Sequence, residues 1–369
     1  MEILFIGNLN KNNSFNGQVA KTLLYHKIIN ERFGKTIDVD LFHCGKNVFK
    51  LFKELNRKIK QCEIVFTMPG PGSCRIVLWL IGLLNKKLKK RIVYCAIGTG
   101  FFSNLLRKKS PKYCKQFFEE YVFREKGSRL DKKILSRIDA AIFQTPLLVE
   151  AHKNYFDFNN CYLLENFRVI SDRPSIKTEF NIDKPLRTIY VSRISEEKGI
   201  IELMKVVDRI NKRSGIKMFL DIYGEIDTNK QDIDSEVFAG LLNENVKHCG
   251  AINNNEVIAT ISKYDLFVFP TKYVGEGTPG VISESLIAGV PVISSRFLQN
   301  KYILKDGFDS VLFDFNDYDD LERKLIDISK QRDVLAELTT NAYKSGDRFL
   351  FENNEKTFYY LITGDKQYC

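Results

Sequence analysis

The chain has 369 residues, 44% of them hydrophobic and 28% charged, and carries a formal net charge of +10. That length suits two domains, each large enough to bury its own core, and the composition is that of a soluble globular protein. No apolar run approaches the roughly 20 residues that span a bilayer. The eight cysteines are scattered without a C-x-x-C pair, and none of the four histidines falls at H-x-x-x-H spacing, so we expect neither a disulfide framework nor a bound metal.

Met1–Gly7 lacks the basic start and cleavage site of a signal peptide and reads as a first strand, which predicts a cytoplasmic protein. The polar loop from Asn8 through Asn16 to Gly17 is too irregular for a G-x-G-x-x-G dinucleotide turn. Helical spacing follows from Gln18 to Phe33, with Val19, Leu23, Ile28 and Ile29 available for one face. Thr36–Phe42 alternates as a strand, Val48–Lys60 is an amphipathic helix, and Glu63–Thr67 is a buried strand. Arg91–Ala96 and Ala140–Gln144 continue this β-α-β-α period, the signature of a parallel sheet wrapped by helices.

Between Glu63 and Glu119 there is no acidic residue, yet the interval holds Arg75, the cluster Lys86 to Arg91 and the cluster Arg107 to Lys115. These clusters alternate with Trp79, Leu80, Leu83 and Leu84, then with Phe101, Phe102, Leu105 and Leu106. Such a surface suits anionic lipid, because each cation near the leaflet contributes about 1 kcal/mol and apolar side chains enter the interface. The plainer alternative is that Ile76–Leu84 is a buried helix whose lysines keep its end soluble. A nucleic-acid patch is the third reading and lacks a recognisable binding module.

After the polar linker Ser171–Lys184 the pattern restarts. Arg187–Ser192 is a strand, Ile200–Arg213 a helix, Met218–Tyr223 a strand followed by Gly224, Val246–Cys249 a short strand and Glu256–Ser262 a helix. The apolar run Tyr264–Phe269 is a further buried strand. It leads into Gly275–Pro291, G-E-G-T-P-G-V-I-S-E-S-L-I-A-G-V-P. Here Thr278 is expected to cap a helix with Pro279 at its first position, and Gly289 to end it. Free N–H groups near Gly280 and Val281 would then favour a bound phosphate. Glu276 and Glu284, at E-x7-E spacing, flank that anion site. Carboxylates do not bind phosphate but accept hydrogen bonds from vicinal hydroxyls, which points to a nucleotide sugar; for two isolated glutamates the plain reading is a loop residue and an ordinary helix residue. Helices are expected over Tyr318–Arg332, Val334–Phe349 and Glu352–Ile362.

The segment E-G-T-P-G-V-I-S-E-S-L-I-A-G-V-P-V-I resembles the E-x7-E region of retaining GT-B glycosyltransferases, glycosyltransferase family 4, of the bacterial surface-polysaccharide type. R-I-S-E-E-K-G, Arg193 to Gly199, resembles the family's G-R-x-x-x-x-K-G element, with Ser192 where glycine is more usual. The resemblance implies an α/β chain of two Rossmann-like doubly wound domains facing across a cleft. The first would span 1–170 and hold the acceptor, the second 171–350 and hold the donor, with 351–369 crossing back as a helix onto the first. It implies that Arg193 and Lys198 neutralise the donor diphosphate, that Glu276 contacts donor-sugar hydroxyls and Glu284 the ribose, and that Thr278, Gly280, Val281 and Gly224 complete the donor site. It brings Asn16 and Gly17 toward donor phosphate and acceptor, although Gly17 is equally a simple turn residue. Where many relatives place a histidine, this chain has Ala96-Ile97-Gly98-Thr99-Gly100, which leaves Thr99 or backbone N–H groups to face the sugar.

The implied reaction is transfer of a sugar, with retention, from a nucleoside diphosphate, expected to be UDP, to a saccharide acceptor expected to be lipid-linked. It would need no cofactor and no nucleic acid, on the inner face of the cell membrane. A GT-B nucleotide-sugar epimerase and a non-enzymatic protein binding anionic lipid or nucleic acid are the alternatives. The first would need buried acid and base groups in the cleft; the second leaves both glutamates and both cations idle.

Overall fold

The structure is a computed structural model that describes residues 1–10, 17–45, 47–106, 109–226, 233–273 and 277–365. Contacts divide the chain into two compact units, one of Met1–Glu165, Val274–Gly277 and Asn354–Cys369, the other of Asn166–Tyr273 and Thr278–Asn353. The first change of unit falls at Asn166, a few residues before the expected position 171, because the main chain of Arg168 pairs with Leu350.

The first unit holds six parallel strands: β1 Glu2–Gly7, β2 Lys35–Asp40, β3 Ile64–Met68, β4 Arg91–Cys95, β5 Ala140–Phe143 and β6 Cys161–Leu163, in the order β2-β1-β3-β4-β5-β6. β3 is buried along its whole length, as expected of strands covered on both faces. Asp40, expected inside a strand, instead ends β2 and caps a short helix by accepting from Phe42 N. The Pro146–Phe156 helix shows a Thr-Pro start, with Thr145 accepting from Leu148 N. The Phe351–Thr363 helix enters this unit from Asn354 onward. There Phe358 packs against Tyr25, Phe33 and Phe66, and Arg91 donates to the carbonyls of Ile362 and Leu361 at 3.0 and 3.1 Å.

The second unit repeats the plan with β7 Leu186–Val191, β8 Met218–Tyr223, β9 Val246–His248, β10 Leu266–Phe269, β11 Val292–Ser295 and β12 Ser310–Phe313, ordered β12-β11-β10-β7-β8-β9 and all parallel. Its two faces feed two separate cores. Leu186, Tyr190, Leu266 and Val268 meet the helix Ile200–Arg213, which buries Leu203, Met204, Val207 and Ile210 at helical spacing. Ile189, Val191, Phe267 and Phe269 point the other way, against Ile282, Leu286 and Ile287 of the helix Gly280–Ile287. Helices on both faces of a parallel sheet make the chain α/β and doubly wound twice over. Among the described residues, no helix is long and apolar enough to cross a membrane.

The basic interval of the first unit is less uniform than its sequence suggests. In the helix Cys74–Leu84, Val77, Leu78, Leu80 and Ile81 are core residues, and Phe101, Phe102 and Leu106 are also buried. Among the described residues of that interval, Trp79, Leu83 and Leu105 are the large apolar side chains that remain exposed. Arg75 is paired with the buried Asp131 at 2.8 Å.

Candidate donor-binding site

In the second sheet the chain adds β8 and β9 on one side of β7, then crosses to place β10 on the other. The crevice outside the carboxyl ends of two strands at such a reversal is where open α/β sheets bind ligands. The loop after β7 carries Arg193 and Lys198, and the loop after β10 leads to the helix Gly280–Ile287.

Glycines set how closely these loops approach. Gly199 adopts φ +72°, and a Cβ there would stand 2.4 Å from the carbonyl oxygen of Pro270, so the loops after β7 and β10 are pressed together at backbone distance. Gly224, at φ +145°, would place a Cβ 1.8 Å from the carbonyl oxygen of Ser192, which welds the loop after β8 to the start of the Arg193 loop. Gly224 thus shapes the site through packing. Lys198 is only 5% exposed, with Nζ 4.8 Å from the ring centre of Tyr273 and 5.6 Å from that of Phe269. Aromatic faces stabilise a cation that burial would otherwise penalise. Arg193 is exposed, and its carbonyl accepts from the Tyr190 hydroxyl at 3.3 Å.

The helix after β10 begins one residue later than expected. Pro279, at φ −61° and ψ 119°, is itself the extended residue before the first turn, and no side chain caps it. Thr278 is therefore not the cap; its carbonyl accepts from Asn166 Nδ2 at 3.3 Å. The N–H groups of Gly280 and Val281 donate to no described residue, so the positive end of the helix dipole is open to an anion. Glu284, in the second turn, does not project into solvent. Its Oε1 accepts from Arg168 Nε at 2.7 Å, with the carboxylate side chain 12% and the guanidinium 19% exposed. No periodicity in the sequence reveals this partner of Glu284, 116 residues away.

The structure therefore gathers Arg193, Lys198, Gly224, Thr278, Gly280, Val281 and Glu284 at the carboxyl end of one sheet. Glu276 and Asn16 lie outside the described residues. Gly17 opens the helix Gly17–Ile28 in the first unit, where a Cβ would meet nothing within 4 Å, so packing does not require glycine there. Thr99, also in the first unit, is 1% exposed and shares a 2.8 Å hydrogen bond with Ser103 Oγ. Beside it, Gly98 and Gly100 both adopt φ +60°. The imidazole of His152 lies under this loop, its Nε2 3.2 Å from where a Gly100 Cβ would stand. No group of three His, Cys, Asp or Glu able to hold a metal ion occurs among the described residues.

Residues 172–345 match the family model for Glycosyl transferases group 1. The chain is 22% identical over 286 residues, 73% of its length and 71% of the relative's, to an uncharacterized 41.2 kDa protein in the cps region of Klebsiella pneumoniae. It is 25% identical over 127 residues, 33% of its length and 30% of the relative's, to the amylovoran biosynthesis glycosyltransferase AmsK of Erwinia amylovora. The structure of Anabaena HepE in complex with UDP and glucose aligns at TM-score 0.72 and 13% identity, over 99% of this chain and 100% of that one. The chain has the GT-B fold, and residues 172–345 are similar to the group 1 glycosyl transferase domain.

Proposed function

We propose that this chain transfers a sugar from a nucleoside-diphosphate sugar, with UDP as the favoured nucleotide, to a growing cell-surface polysaccharide, with retention at the anomeric carbon. The observation that carries the reading is the open N-terminus of the Gly280–Ile287 helix beside the loop that bears Arg193 and Lys198, at the strand reversal of the second sheet. Helix N–H groups and two cations form a preorganised cradle for the charge that grows on the departing diphosphate. Glu284 stands beyond that cradle as an acceptor for ribose hydroxyls, and Glu276 takes the corresponding role toward the sugar. The cps-region relative and the amylovoran enzyme support polysaccharide as the product, and the UDP and glucose held by HepE support the donor class.

The test is turnover. Incubated with UDP-, GDP- and ADP-sugars and a saccharide acceptor, the protein should release nucleotide and form a glycoside whose anomeric configuration, read by NMR coupling, matches that of the donor. Inverted product removes the retaining assignment, and an epimerised nucleotide sugar without transfer supports the epimerase instead. Glu276→Ala and Glu284→Ala should each lower kcat/KM for the donor at least about tenfold, equivalent to roughly 1.4 kcal/mol of transition-state stabilisation relative to free enzyme and donor, Glu284→Ala mainly through KM, with unchanged circular dichroism. Wild-type kcat/KM in both variants removes the glutamates from the site.

The acceptor in this reading is lipid-linked, and the first unit meets it at an anionic membrane. Trp79 and Leu83, 41% and 46% exposed and one turn apart, lie just before the exposed Lys86, Lys87 and Lys89. Exposed charges are screened beyond about 10 Å at 0.1 M salt, so flotation with anionic liposomes should fall as salt rises. It should be lost when Lys86, Lys87, Lys89 and Lys90 become glutamate, while donor hydrolysis persists. A charge-reversed protein that still floats makes the interval an ordinary solvated surface.

A further inference from the structure

Arg168 lies outside every strand of the second sheet, yet its main chain is held like one. Its N–H donates to Phe349 O at 2.7 Å and its carbonyl accepts from Phe351 N at 2.9 Å. The side chain is fixed as firmly. Nε donates to Glu284 Oε1 at 2.7 Å, and Nη1 to the carbonyl of Phe167 at 3.0 Å and to Asn166 Oδ1 at 3.4 Å. Nη2 has no hydrogen-bond partner among the described residues and occupies the space beside Gly280, where a Cβ would stand 2.1 Å from it.

This arrangement is not one that stability alone selects. A cation set against the positive end of a helix is electrostatically unfavourable, and an ion pair taken largely out of water recovers its desolvation cost only with good geometry. What the geometry achieves is a carboxylate with one oxygen engaged and its rotation arrested, while Oε2 accepts no hydrogen bond from any described residue. Gly280 is integral to it, since any side chain there would evict the guanidinium.

We infer that Arg168 is a positioning residue that holds Glu284 with Oε2 presented to a ribose hydroxyl of the donor, so that selectivity for ribonucleotides passes through an arginine outside the E-x7-E motif. The inference rests on reading the second unit as a nucleotide-sugar site. A site built to bind a hydroxyl rejects the analogue lacking it, because the buried acceptor is left unpaired.

Calorimetric titration with UDP and with its 2′-deoxy and 3′-deoxy counterparts tests this. Wild type should prefer UDP to one of the deoxy forms by roughly tenfold or more. Arg168→Ala should reduce that preference to below roughly threefold, and raise KM for the nucleotide sugar with kcat little changed, since ribose is held alike in ground and transition states. Gly280→Ala keeps every charged group and every N–H, and needs only the flexible end of Arg168 to move, so it should fold and reproduce the lost preference. Arg168→Lys should restore part of it. Wild-type preference in both Arg168→Ala and Gly280→Ala, or a wild type that binds UDP and its deoxy forms equally, overturns the role of Arg168 while leaving nucleotide-sugar turnover intact. A wild type that binds no UDP and turns over no nucleotide sugar overturns both readings.

Discussion

Lys198→Ala is expected to weaken UDP binding by roughly ten- to a hundredfold, the effect of removing one charge-assisted hydrogen bond of about 1.5–3 kcal/mol. The size follows from the setting: Lys198 is 5% exposed between the rings of Phe269 and Tyr273, where solvent screening is weak. Arg193→Ala should weaken binding less, because Arg193 is exposed to solvent. Calorimetry with the diphosphate alone separates this from any effect on the sugar, and a melting curve shows whether loss of the caged cation has disturbed the fold. Unchanged affinity in both variants places the pair outside the site.

Acidification from pH 7 to 5 should cost the fold about 2 kcal/mol through His152 alone. The ring is fully buried among Phe143, Phe102 and Phe156, and burial pushes its pKa down to about 3, against a smaller upward pull from its Nδ1–H bond to the Leu148 carbonyl. The unfolded chain protonates this histidine below its ordinary value of about 6.5, so it binds one more proton than the native state throughout the interval down to about 3. Stability therefore falls as pH drops through that window and is constant with respect to this group above it. Urea titrations of wild type, His152→Phe and His152→Leu at both pH values provide the measurement. Both variants should lose markedly less stability on acidification, whatever their stability at pH 7; equal losses would assign the acid sensitivity to other groups.

The sequence carried the elements whose cause is local. Ile200–Arg213 and Met218–Tyr223 have the expected bounds, because apolar periodicity and flanking glycines define them. Gly289 ends its helix at φ +73°, as a residue free of Cβ strain should. What escaped was set by distant parts of the chain. Thr145-Pro146 and Thr278-Pro279 look alike as text, yet only the first starts a helix in the expected way. The second has Arg168 packed over Gly280 and Asn166 bonded to the Thr278 carbonyl. His152 was one histidine of four until folding laid it beneath the Gly98–Gly100 loop. Of the basic interval, charge was legible and exposure was not: Phe101 and Phe102 read as candidates for a lipid face and are core residues.

The Phe351–Thr363 helix begins in the second unit, and its Phe358 completes the aromatic core around Tyr25, Phe33 and Phe66. The first unit is thus assembled from two stretches of chain with the second unit between them in sequence. A nascent chain that has emerged as far as Glu165 has all six strands of its first sheet and still lacks the ring that fills its centre. The second unit must be translated before the first can close, so the half that leaves the ribosome first is the half that waits, with Tyr25 and Phe66 uncovered for the time it takes to make nearly two hundred more residues.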